Sequence, residues 1–154
     1  MDQNINTDGL LHILKSTRPE AVGEVIRENQ DALFSDAKPF AGYIRELLEK
    51  HGKTQKDVIE KAGFSMKYGY RLLSEERHTK QRDYILRLCI AAELDLEETQ
   101  RLLKLYGMSP LYAKLPRDAV LISCIGSGGC SVEQINQILC TNDQPILKAG
   151  SEVE

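Results

Sequence analysis

Apolar residues recur at intervals of three and four along most of this chain, and no run of β-branched residues alternates with polar ones at a period of two. That spacing paints a stripe on a helix and cannot line one face of a strand, so an all-α fold is predicted. Leu10, Leu11, Ile13 and Leu14 mark a short first helix, and Pro19 suits the first turn of a second one running through Ile26. Phe40, Tyr43, Ile44, Leu47 and Leu48 form the clearest stripe, which Gly52 stops. Thr54 is placed to cap a helix whose inner face is Val58, Ile59 and Ala62. Gly63, which tolerates positive φ, ends that helix. Ser65 caps the next, with Leu72 and Leu73 pointing inward, and the segment from Ser74 to Gln81 is a polar loop.

Beyond that loop, Arg82 to Ala92 reads as amphipathic, with Ile85, Leu88, Cys89 and Ala92 on one side. Asp95 with Glu98, and Ser131 with Gln134, have the spacing of capping boxes, in which each side chain satisfies the free N–H of the other residue. They open helices running to Gly107 and Leu139. Pro116 starts a helix to about Ile125, and Gly126-Ser127-Gly128-Gly129 is a flexible turn. The expected organisation is an N-terminal helical extension over 1–38, a central domain over 39–107, a C-terminal helical extension over 108–141 packed on it, and a flexible tail over 142–154.

The 154 residues include 20 Lys and Arg against 23 Asp and Glu, a formal charge of −3. Such an average argues against a wholly basic, histone-like nucleic-acid binder. Its distribution says more. Ten Lys/Arg and five Asp/Glu lie between Lys50 and Ile90, a local charge of +5, which leaves ten against eighteen, or −8, elsewhere. Cys89, Cys124, Cys130 and Cys140 contain no C-x-x-C pair, and His12, His51 and His78 are remote from them, so no metal site is expected. Cys89 reads as a small core residue. A disulfide among the other three stays open, with a reduced, cytoplasmic protein as the expectation. No signal peptide is recognised, and the longest largely apolar stretch, Ala119 to Ile125, is about a third of a membrane span. The Gly126–Gly129 turn lacks the Lys-Ser/Thr of a phosphate loop. Asp95, Glu97 and Glu98 at one helix start answer the helix dipole rather than acid–base chemistry. Neither an enzyme nor a cofactor is expected.

The most informative constellation is Gln55 to Leu72, two short helices joined by a tight turn around Gly63. In a helix-turn-helix the first helix braces the second, whose exposed half enters a DNA major groove. Thr54-Gln55-Lys56-Asp57-Val58, Ala62-Gly63-Phe64-Ser65 and Leu72 with its polar turn resemble the lambda-repressor-like, xenobiotic-response-element (XRE) family of helix-turn-helix regulators. A group from Gram-positive bacteria is closer still, on Tyr68-Gly69-Tyr70, Arg82-Asp83, the run Leu94 to Lys104, Leu111-Tyr112 and Arg117-Asp118-Ala119. The resemblance implies that residues 39–107 are a helix-turn-helix domain of a bacterial transcription regulator that binds double-stranded DNA. Residue by residue, it implies that Gln55 touches a phosphate, that Met66, Lys67 and Arg71 face base edges, and that Ser65 and Tyr70 contact the backbone. The side-chain chemistry agrees in part: Lys67 and Arg71 can donate to guanine, Met66 can pack on a thymine methyl, and Tyr70 can donate to a phosphate. Lys56, Arg77 and Lys80 add salt-sensitive phosphate attraction. Two positions depart from the family pattern, Ile59 in place of Ala and Gly69 in place of a β-branched residue. The exchange is read as compensatory, a large residue filling the space a small one vacates.

Blander readings stand beside these. Lys67 and Arg71 also suit a solvated helix face. Of Tyr68 and Tyr70, which point to different sides, Tyr68 is expected to be buried. His78 is expected to be solvent-exposed, and the two Arg-Asp pairs to fix helix packing. The surplus of apolar residues after Asp95 either extends the core or presents a homodimer surface. A rival of a different class is a helical adaptor that keeps a degenerate helix-turn-helix shape and binds an unidentified protein partner.

Overall fold

The computed structural model describes residues 7–29 and 38–150, which are helical with no strand among them. The chain divides into two compact units, residues 1–39 and 40–154. In the first, α1 (Thr7–Ser16) leads through a 3₁₀ turn, Pro19–Ala21, into α2 (Val22–Glu28). Pro19 stands at the first position of that turn, where its missing N–H leaves nothing unsatisfied. α1 is closed by side chains that double back, Thr17 Oγ1 donating to the Ile13 carbonyl at 2.6 Å. No described residue of this unit is fully buried, and Leu11 and Ile26 are exposed.

The second unit holds α3 (Pro39–Lys50) from its second residue on, then α4 (Gln55–Ala62), α5 (Met66–Leu73), α6 (Arg82–Ala91), α7 (Leu96–Leu105), α8 (Pro116–Ser127) and α9 (Val132–Thr141). Both expected capping boxes form in full, at Asp95/Glu98 and Ser131/Gln134. α6 is the hub, packed by α4, α7 and α9. Every residue from Asp83 to Ala91 is buried. The sequence suggests an amphipathic α6; neighbours on its other sides instead cover Tyr84, Leu86 and Ile90 as well. One continuous apolar cluster runs from Phe40 through Leu121, Ile135 and Leu139 to Leu147, so the apolar residues after Asp95 largely extend the core.

Burying a helix on all sides obliges its charges to find partners. The two Arg-Asp dipeptides do so by exchange. Arg82 donates to both carboxylate oxygens of Asp118 at 3.1 and 2.6 Å, and Arg117 donates to both oxygens of Asp83 at 2.9 Å each. These forked pairs lock the start of α6 to the start of α8. Burial pushes the Asp83 carboxyl up, but the bonds from Arg117 and from the Lys148 N–H outweigh it and hold the group below its ordinary value. Glu98 behaves alike. Its burial is outweighed by the Asp95 N–H, His51 and Lys50, which tie the end of α3 to the start of α7 and lower its pKa.

The flexible tail expected over 142–154 is corrected through Gly150; residues 151–154 lie outside the described part. After α9 the chain runs back along α8 and α6 as an extended strap. Leu147 is fully buried. Arg117 donates to the carbonyls of Pro145 and Ile146, and Arg87 donates to those of Leu147, Lys148 and Ala62. Asn136 accepts from the Leu147 N–H at 2.9 Å and Asp83 from the Lys148 N–H at 2.9 Å. A segment with no helical period is thus held because its backbone groups meet side chains already fixed in the core.

Candidate nucleic-acid interface

The two short helices begin and end where local chemistry dictates. Thr54 Oγ1 accepts from the Asp57 N–H at 3.2 Å and opens α4. Gly63, at φ 85°, ends it in the left-handed region. Ser65 Oγ then accepts from the Tyr68 N–H at 3.2 Å and opens α5. The inner face of α5 is Tyr68, Gly69, Leu72 and Leu73, all buried. Tyr68 meets Phe64 edge-on at 5.7 Å and Tyr84 at 6.2 Å. It is the buried member of the tyrosine pair, while Tyr70 is 43% exposed. Gly69 lies directly on Ile59: a Cβ there would stand 2.4 Å from Ile59 Cγ2. Ile59 and Gly69 are therefore a packing match of large against small, and α4 and α5 meet closely there.

The outer face of α5 carries Lys67, Tyr70 and Arg71, three and four residues apart and all exposed. Lys67, Arg71 and Arg77 gather around one recess that Tyr68 also lines. Arg77 comes from the following loop, and it is delivered there by its own N–H, which donates to the Arg71 carbonyl at 3.0 Å. Arg71 Nε lies 3.8 Å from Glu76 Oε1, with both side chains open to solvent. An exposed pair of that length is weak and leaves the guanidinium available.

Other expected contact residues are placed differently. Lys56 and Lys80 are exposed but do not line the recess. Gln55 is half-buried at the first position of α4. Ser65 is exposed, with its hydroxyl engaged as the α5 cap. Met66 is half-buried and packs against the core, so its side chain is not on the open face with Lys67 and Arg71. It precedes Gly69 by three residues and Leu73 by seven, which puts it on their buried side of α5.

Sequence reasoning missed the framework that holds the loop after α5. Glu75 adopts φ 58° and its carboxylate accepts from the Ala41 N–H at 3.1 Å. Thr79 is buried and its N–H donates to Tyr106 Oη at 2.8 Å. His78 is exposed, as expected, yet stacks on the Tyr106 ring at 4.3 Å. The polar composition of 74–81 signals a loop, but these anchors come from residues 27 to 34 positions away and leave no local signature.

Among the described residues no group of three His, Cys, Asp or Glu is placed to hold a metal ion, and no helix is long and apolar enough to cross a membrane. Cys89 is fully buried, and that burial pushes its thiol up to about 12. No family model, curated protein or solved structure matches the chain.

Proposed function

We propose that this protein binds double-stranded DNA in a sequence-specific manner, as a lambda-repressor-like helix-turn-helix transcription regulator of the bacterial cytoplasm. In this reading α4 braces α5, and the outer face of α5 enters the major groove. The observation that carries it is the gathering of Lys67, Arg71 and Arg77 around one recess beside the exposed Tyr70. Arg71 and Lys67 donate to base edges, and Arg77 and Tyr70 hold phosphates. The close seat of Gly69 on Ile59 supports a rigid reading helix. The negative charge outside the basic segment keeps the other surfaces off DNA. A homodimer supplies the second half-site. Selection from random duplexes at low salt tests the proposal. Enrichment of one motif is expected, and recovery of unselected sequence overturns it.

A second reading, a helical adaptor that binds a protein partner, is favoured by the exposed apolar residues Tyr112, Leu115 and Ile146, each at least half open to solvent. The double substitution Lys67→Glu with Arg71→Glu separates the two. It abolishes DNA binding under the first reading and leaves capture of a protein partner intact under the second.

A further inference from the structure

α8 and α9 are joined by a turn in which Gly128 and Gly129 both adopt φ 76°, a conformation that side-chain-bearing residues rarely take. Cys124 stands before this turn, near the end of α8, and Cys130 after it, just ahead of the Ser131 cap of α9. The turn brings the two residues together: both line the cleft with Ile90, Leu94 and Ile135, and both line the neighbouring recess with Ala119, Ser123 and Ile138. Both are free thiols. Cys124 is buried and Cys130 is half-exposed. Cys130 also opens onto a third recess, bordered by Glu60, Lys61, Glu93 and Glu133.

We propose that Cys124 and Cys130 form a redox-active dithiol, which a small-molecule disulfide converts to an intramolecular disulfide across the α8–α9 turn. The accessible Cys130 reacts first. Its thiolate attacks one sulfur of the oxidant, forming a mixed disulfide and releasing one small thiolate. Cys124 then attacks the Cys130 sulfur and expels the second small thiolate. The two protein thiols lose two electrons to the oxidant, and their two protons end on the two small thiols released. Cys124, buried behind the turn, meets the oxidant only through Cys130, and it gives up its proton as it attacks. The product staples the glycine turn, removing its freedom and fixing α8 to α9.

Bis(2-hydroxyethyl) disulfide is the suitable probe, because it is neutral and the third recess holds three carboxylates against one lysine. The folded full chain is treated, remaining thiols are alkylated in acid-quenched, denatured protein, and the chain is cleaved after Arg117 and Glu133. The resulting peptide 118–133 contains Cys124 and Cys130 and separates them from Cys140. The expected result is loss of two hydrogens and of both alkylation sites in that peptide, reversed by dithiothreitol. Cys124→Ser should accumulate a stable mixed disulfide on Cys130, and Cys130→Ser should leave Cys124 reduced. Full alkylation of peptide 118–133 while Cys140 is modified overturns the proposal. So does a Cys124→Ser variant that acquires no adduct at Cys130.

Discussion

Substituting Gly69 by Ala sets two effects against each other, and the contact between α4 and α5 decides which wins. In an open helix the change stabilises by about 1 kcal/mol. Here the new methyl would stand 2.4 Å from Ile59 Cγ2, 2.6 Å from Cγ1 and 3.0 Å from Cβ. These are branch atoms of a fully buried, β-branched side chain with a stiff χ1, so it has no flexible end to move aside. Overpacking a tight core costs about 1–3 kcal/mol, and three such contacts place this site toward the upper end. The net expectation for Gly69→Ala is destabilisation by about 1–2 kcal/mol. Ile59→Ala alone opens a cavity and costs about 2–5 kcal/mol. In that background the Gly69→Ala methyl enters vacated space and keeps its helical advantage, so it should stabilise by about 1 kcal/mol. The sign reversal corresponds to a coupling of about 2–3 kcal/mol between neighbouring sites. Urea unfolding of the four proteins, followed by far-ultraviolet circular dichroism, measures it. A Gly69→Ala effect equal in both backgrounds, or stabilisation of the parent chain, would refute the packing argument.

Other expectations follow from the same structure. Arg71→Ala should weaken binding to a selected duplex by about 1–3 kcal/mol and relax preference at one base pair, whereas Arg77→Ala should weaken binding to all sequences alike and flatten the salt dependence by about one phosphate; competition binding at several salt concentrations distinguishes the two patterns. Leu147→Ala, in the strap, should cost about 2–5 kcal/mol of unfolding free energy because that side chain is fully buried; a loss within ~0.5 kcal/mol, the range of an ordinary surface change, would show the strap to be dispensable. Asp83 is held below its ordinary value of 3.8, so its contribution is fully present above that pH and is lost as pH falls through the lower folded value. Asp83→Asn should therefore be less stable at neutral pH and show a shallower acid-side decline; parallel pH profiles for the two proteins would contradict the assigned role.

Much of the second unit was legible because its determinants are local. Caps at Thr54, Ser65, Asp95 and Ser131 lie within three residues of the groups they satisfy, and each opens a helix. The same local logic marks Gly63 as the end of α4 and separates buried Tyr68 from exposed Tyr70. The candidate interface was readable for Lys67 and Arg71, which share a face of one helix. It was less so for Met66, which lies on the side of Gly69 and Leu73 and packs against the core. The strap was misread because 142–150 has neither period nor caps. Its order comes from Arg87, Arg117, Asp83 and Asn136, whose partners on it lie between 11 and 65 residues away.

By itself the sequence determined helix content, helix ends and the stripe each helix offers to a core, since these depend on hydrogen bonds and side-chain spacing over a turn or two. Only the tertiary structure decided how α6 came to be buried on all sides, that Arg82 and Arg117 exchange their aspartates, and that Arg77 joins Lys67 and Arg71. Each of these depends on which distant element fills the space beside a residue. Burial makes an unpaired charge or an unfilled volume costly, so such choices are settled by the packed whole.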